Sequence, residues 1–142
     1  MFKMLVAVDG SEHAQRTLEK AAELASEMHA AEVHILNVQD EPTVYGEVAL
    51  YLTEERARQL VKEAGQRIVD AAAARLRGAG VGVNTEVAIG DVAPTIAARA
   101  GELGCNLIVM GTRGMGAVAN LVLGSVATKV VHLAQTPVML VH

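Results

Sequence analysis

The residues best suited to chemistry in this chain are neither acids nor nucleophiles. They are a spaced set of glycines, Gly111, Gly114, Gly116 and Gly124, followed directly by Ser125. Glycine lets backbone N–H groups approach an anion with no side chain in the way. Gly111 closes an apolar run and Gly124-Ser125 opens a helical pattern, so the segment ends on a helix N-terminus. The unpaired N–H groups and partial positive charge there suit a phosphate. Ser125 adds a hydroxyl for a phosphate or its metal, and Arg113 adds a full positive charge. The segment is not a Walker A loop, because no Lys-Ser/Thr pair follows its second glycine at the required spacing. A partial dinucleotide fingerprint, Gly114-Met115-Gly116-Ala117-Val118-Ala119, lies after the fourth predicted strand and not at the first strand-to-helix turn. A glycine-rich connector that serves packing alone fits the same residues.

Other chemistry finds little support. The five histidines, His13, His29, His34, His132 and His142, show no zinc-site spacing. No Gly-x-Ser-x-Gly elbow is present. Asp40-Glu41 and Glu54-Glu55 read as solvated acids. Cys105 has no histidine at motif spacing and reads as a buried structural thiol. No catalytic residue and no protein-built metal site is expected.

Five short apolar runs must position the glycines: Met4–Val8, Val33–Val38, a weaker run from Val81 to Ile89, Leu107–Met110 and Pro137–Val141. Such runs suit strands buried on both faces of a parallel sheet. Helical periods separate them. One face reads Ala14, Leu18, Ala21, Ala22, Ala25, Met28; a longer one reads Ala57, Leu60, Val61, Ala64, Ile68, Ala71, Ala72. A third reads Ala93, Ile96, Ala97, Ala100, Leu103, and the last Val126, Val130, Val131, Ala134. Thr53 and Asp91 are candidate N-caps, Pro94 falls in a first turn and Gly104 suits a helix end. Asp9 has capping-box spacing to Glu12, with Ser11 as a competing cap. The segment Asp40–Leu52 is the longest irregular stretch and carries both tyrosines. The alternation of strand and helix predicts an α/β fold, a parallel sheet with helices on both faces. Ligands bind such sheets at the carboxyl ends of the strands, where the winding reverses.

Length and composition agree with this reading. A chain of 142 residues with 51% hydrophobic content fits one folded domain, spanning 1–142. The formal charge of −4 and the three aromatic residues, Phe2, Tyr45 and Tyr51, argue against a nucleic-acid partner. One cysteine fits a reducing compartment. No stretch is apolar enough to span a membrane and no leader or lipidation signal is read, so the expected location is cytoplasmic.

Taken together, the sequence resembles the universal stress protein family over essentially its whole length. Gly111, Gly114, Gly124 and Ser125 fill the Gly-x2-Gly-x9-Gly-Ser/Thr pattern of the family's nucleotide-binding members. The opening Val6-Ala7-Val8-Asp9-Gly10-Ser11 and the closing Thr136–Val141 also look like the family's ends. The resemblance implies a Rossmann-like three-layer α/β/α sandwich with a five-stranded parallel sheet of order 3-2-1-4-5. It implies an adenine nucleotide as ligand (ATP, or AMP or ADP) with Mg²⁺. Gly114, Gly124, Ser125 and Val126 would hold the phosphates, with Gly111 and Arg113 near the ribose and phosphates. Ala7, Val8 and Met110 join the same site. Asp9 would meet the ribose or the metal-phosphate region, and Val38 would read adenine through its backbone. It also implies a homodimer through the C-terminal strand. The Ser-Gly-Gly-x-Asp-Ser loop of ATP pyrophosphatases is missing after the first strand, so hydrolysis is expected to be slow at most. The alternative is a dimeric interaction protein in which the glycine run only packs.

Overall fold

The computed structural model describes residues 1–29, 31–113 and 123–142. In chain order the elements are β1 (Phe2–Ala7), α1 (Ala14–Glu27), β2 (Ala31–Gln39), a 3₁₀ turn (Gly46–Leu50), α2 (Glu54–Gly78), β3 (Val83–Ile89), α3 (Val92–Glu102), β4 (Leu107–Gly111), α4 (Ser125–Leu133) and β5 (Val138–Val141). The strands form one sheet of order β3-β2-β1-β4-β5, with every pairing parallel. This is the expected doubly wound α/β sandwich. Its strand order turns between β1 and β4, which places the open crevice at their carboxyl ends.

Strand residues alternate between two cores. Met4, Val6, Val33, Ile35 and Val109 join α1 and α2 residues such as Leu18, Ala21, Val69 and Leu76. Leu5, Leu36, Ile108 and Met110 join Ala93, Ile96 and Ala100 of α3 with Ala127 and Val130 of α4. Continuous apolar runs are therefore needed in β1, β2 and β4, because each successive side chain enters one core or the other.

Several local expectations shift. Val81 does not start β3; its N–H bonds Leu76 O at 3.0 Å and closes the end of α2. The buried stripe of α2 runs through Ala57, Gly65, Val69, Ala72, Ala73 and Leu76, while Leu60 and Ala71 face outward. Gly65 causes the offset. A Cβ there would lie 2.5 Å from Val87 Cγ1 and 2.8 Å from Asn37 Oδ1, so the helix meets the sheet through a residue with no side chain. In α4 the buried residues are Ala127 and Val130, and Val131 is exposed. Met28 is exposed beyond the end of α1.

Thr53 caps α2 as expected, accepting from Arg56 N at 3.0 Å. Asp91 holds the N-cap position of α3 without a side-chain cap bond. Neither Asp9 nor Ser11 caps α1, which begins at Ala14 behind His13. Asp9 instead accepts the Ser11 N–H at 3.0 Å and tightens the turn leaving β1. Gly104 follows α3 with φ +68°, the left-handed conformation that ends a helix cheaply.

One polar cluster binds three elements together. Glu86 on β3 accepts from Arg99 of α3 at 3.0 and 3.2 Å and lies 2.8 Å from His34 Nε2 on β2. Partial burial opposes the charge on Glu86, but its hydrogen bonds to Arg99 and His34 outweigh that and hold the carboxyl below its usual range.

Candidate functional site

A cavity of about 630 Å³ opens at the carboxyl ends of β1, β2 and β4. That volume is within the range of small-molecule pockets. Its wall gathers most of the residues singled out from the sequence. Ala7, Val8 and Asp9 come from the end of β1 and Val38 from β2. Met110, Gly111 and Arg113 come from β4 and its exit, and Gly124, Ser125 and Val126 from the start of α4. Gly114 and Gly116 lie outside the described residues.

The α4 end of the cavity is built from backbone. Gly124 donates its N–H to Thr112 O at 2.6 Å, and Thr112 in turn donates to Val141 O at 3.0 Å. Thr112 therefore ties the exit of β4 to both β5 and α4. A Cβ on Gly124 would sit 3.1 Å from Thr112 O and 3.6 Å from Arg113 Cα, so this approach suits glycine. The first intrahelical bond of α4 runs from Thr128 N to Gly124 O at 3.0 Å. The N–H groups of Ser125, Val126 and Ala127 precede it and carry the helix's positive end at the cavity wall.

The cavity also takes residues that the sequence reading passed over. Asn37 is buried, donates from Nδ2 to Val8 O at 2.8 Å and accepts from Gln39 Nε2 at 2.7 Å. It fixes the end of β1 just before Asp9. A lone amide inside the apolar run Val33–Val38 was the signal for it. Ala64 and Ile68 bring α2 to the wall. Gly10, at φ +80°, passes so close to α2 that a Cβ would be 3.0 Å from Ile68. Thr17 of α1 also lines the cavity, and no apolar period could have marked it.

The wall mixes polar and apolar residues, with Asn37 and Thr17 its buried polar side chains. Asp9 and Arg113 are half-buried, and Asp40 is exposed. No group of three or more metal-ligating side chains occurs among the described residues. Cys105 is not in the cavity wall, and its thiol is pushed up by burial, which disfavours a nucleophile. No helix among the described residues is long and apolar enough to cross a membrane.

Known proteins share the family and the fold. The universal stress protein family profile matches residues 1–142. The chain is 37% identical over 146 residues to universal stress protein YxiE of Bacillus subtilis, covering 99% of this chain and 98% of that one. It is also 37% identical over 146 residues to a Thermus aquaticus universal stress protein, covering 100% of both. The solved UspA of Lactobacillus plantarum superposes with a TM-score of 0.84 at 23% identity, over 99% of this chain and 97% of that one. Two solved relatives with a bound nucleotide share the fold. One is from Archaeoglobus fulgidus in complex with dAMP (TM-score 0.70, 23% identity, 100% and 98% covered). The other is from Arabidopsis thaliana with AMP bound (TM-score 0.72, 22% identity, 99% and 91% covered). By its profile, its relatives and its sheet, this chain belongs to the universal stress protein family.

Proposed function

We propose that this chain is a nucleotide-dependent stress-response module, one domain that binds ATP, or AMP or ADP, with Mg²⁺ and acts as a cytoplasmic homodimer. The observation that carries this reading is the backbone-built cavity end at Gly111, Gly124 and the start of α4, sited at the turn between β1 and β4. Relatives of the same fold bind adenine nucleotides, and the residues here fit one. The N–H groups of Ser125 and Val126 meet phosphate oxygens, with Arg113 supplying countercharge and Gly114 completing the cradle. Val38 reads adenine through its backbone, between the aliphatic side chains of Ala7, Met110 and Val126. Asp9 and Gly111 flank the ribose. Mg²⁺ would bring charge neutralisation to the phosphates, with Asp9 and Ser125 the protein oxygens available to it. The described wall holds Asp9 and Asp40 as its acids and no histidine beside them, and hydrolysis is slow at most.

Native mass spectrometry of freshly purified protein tests the reading. A mass exceeding the bare chain by one adenine nucleotide is expected. A bare mass together with no heat of ATP binding by calorimetry would sink it. Gly124→Val drives a side chain onto the Thr112 carbonyl and should weaken ATP binding more than tenfold, with the far-UV circular dichroism unchanged.

The dimer rests on a separate observation. Among the described residues β5 pairs only with β4 and forms one edge of the sheet. Its unpaired backbone is a template for a second copy, and a two-fold pairing closes it. Removing residues 138–142 should give monomer or insoluble protein in sedimentation. A dimer that survives the deletion refutes this interface.

A further inference from the structure

Asn37 and Gln39 stand two residues apart on β2, so their side chains leave the sheet on the same face. Asn37 is buried and Gln39 half-buried, and both line the cavity beside Val38. Their two amides form a chain whose direction is fixed from one end. The Val8 carbonyl can only accept, so the Asn37 group 2.8 Å from it is the donor Nδ2. Oδ1 is then the acceptor left over, and Gln39 donates to it from Nε2 at 2.7 Å. A Cβ on Gly65 would lie 2.8 Å from that Oδ1, so the missing side chain in α2 leaves the oxygen its room. Gln39 cannot turn its amide over. Half a turn would set Oε1 against Asn37 Oδ1, two acceptors with no proton between them. Gln39 Oε1 itself accepts no hydrogen bond from the described residues. The cavity wall at the end of β2 thus carries a free acceptor of fixed polarity.

We infer that Gln39 is a specificity-determining residue for the base: Oε1 accepts from an exocyclic amino group and selects a 6-amino purine over a 6-oxo purine. Adenine offers an N–H donor at position 6, whereas hypoxanthine and guanine present an acceptor there. A side-chain amide suits the adenine pattern. Free to turn over, it would suit the 6-oxo pattern equally well. The chain from the Val8 carbonyl through Asn37 removes that freedom, so a 6-oxo purine meets oxygen against oxygen. Asn37 is the positioning residue, and Gln39 touches the base. The role rests on the nucleotide-binding reading above, and it adds a side-chain reader to the backbone of Val38.

Calorimetry of the full chain with Mg·ATP and with Mg·ITP tests the role through the ratio of the two affinities. Wild type should prefer ATP. Gln39→Met keeps the length of the side chain and removes its polar atoms. It should shrink the preference about tenfold, the order one hydrogen bond supports, chiefly by weakening ATP. Gln39→Glu keeps an acceptor on the same stem but loses the donor to Asn37. Its added charge weakens both nucleotides and drops out of the ratio, which should fall as far as in the Met variant because the carboxylate is no longer held. An unchanged ratio in Gln39→Met overturns the inference. So does a Glu variant that keeps the wild-type ratio, because the acceptor would then act without Asn37, and so does a wild type that binds ITP as tightly as ATP. Those three outcomes leave the nucleotide-binding reading standing. A wild type that binds neither nucleotide removes both.

Discussion

Gly65 occupies the middle of α2, where helix propensity favours alanine by about 1 kcal/mol. Packing reverses that preference. A methyl group there meets Val87 and Asn37 at 2.5 and 2.8 Å, and both are held in the sheet. Gly65→Ala should therefore destabilise the protein by about 2 kcal/mol net, within the usual range for overpacking, as read from the urea midpoint. Strain on Asn37 would also reach the cavity, since its Nδ2 holds the Val8 carbonyl. The residue scale is also where the sequence was least legible. Thr53 could be read as a cap because its hydroxyl needs only the local helix start. Asp91 stands at an equally suggestive position, but its side chain makes no cap bond, and Asp9 bonds the Ser11 N–H in the turn leaving β1. Gly65 and Asn37 gain their roles from contacts with other elements, so no local pattern could announce them.

At the scale of elements, the five strands and four helices followed from periodicity and punctuation, and the parallel sheet from their alternation. The strand order itself came with the family resemblance, because nothing in a single apolar run says which neighbour it will pair with. The Glu86 cluster, likewise unannounced, ties β2, β3 and α3 through one carboxylate. Its consequence for stability has a definite sign. Glu86 titrates lower in the folded protein than the ordinary carboxyl value of 4.5. Its contribution is thus complete above that value and is lost as pH falls through the lower folded one. Glu86→Gln should be less stable than wild type at pH 7. The gap should narrow progressively as pH falls below 4.5, as followed by urea midpoints across the acid range. A gap that persists in acid would assign the effect to packing.

The whole molecule bears a formal charge of −4, and a nucleotide with its magnesium is also an anion. Long-range steering therefore does not help capture, and the N–H groups and helix end that favour phosphate act only at short range. Added NaCl should leave the association rate of a fluorescent ATP analogue level or raise it, as read by stopped flow. A steep fall would reveal a basic field around the mouth. The scarcity of aromatic residues has its counterpart here too. Both tyrosines are exposed, at 78% for Tyr45 and 89% for Tyr51, and neither lines the cavity. A purine must be gripped by aliphatic side chains and backbone. The cavity wall takes residues from both cores, Ile68 and Val8 from one and Ile96 and Met110 from the other. These two apolar layers lie on opposite faces of the sheet. A ligand seated across the strand ends would act as a clasp between them. Slowing of amide exchange on nucleotide binding should then spread into α2 as well as α3, so that both faces of the sheet gain protection together.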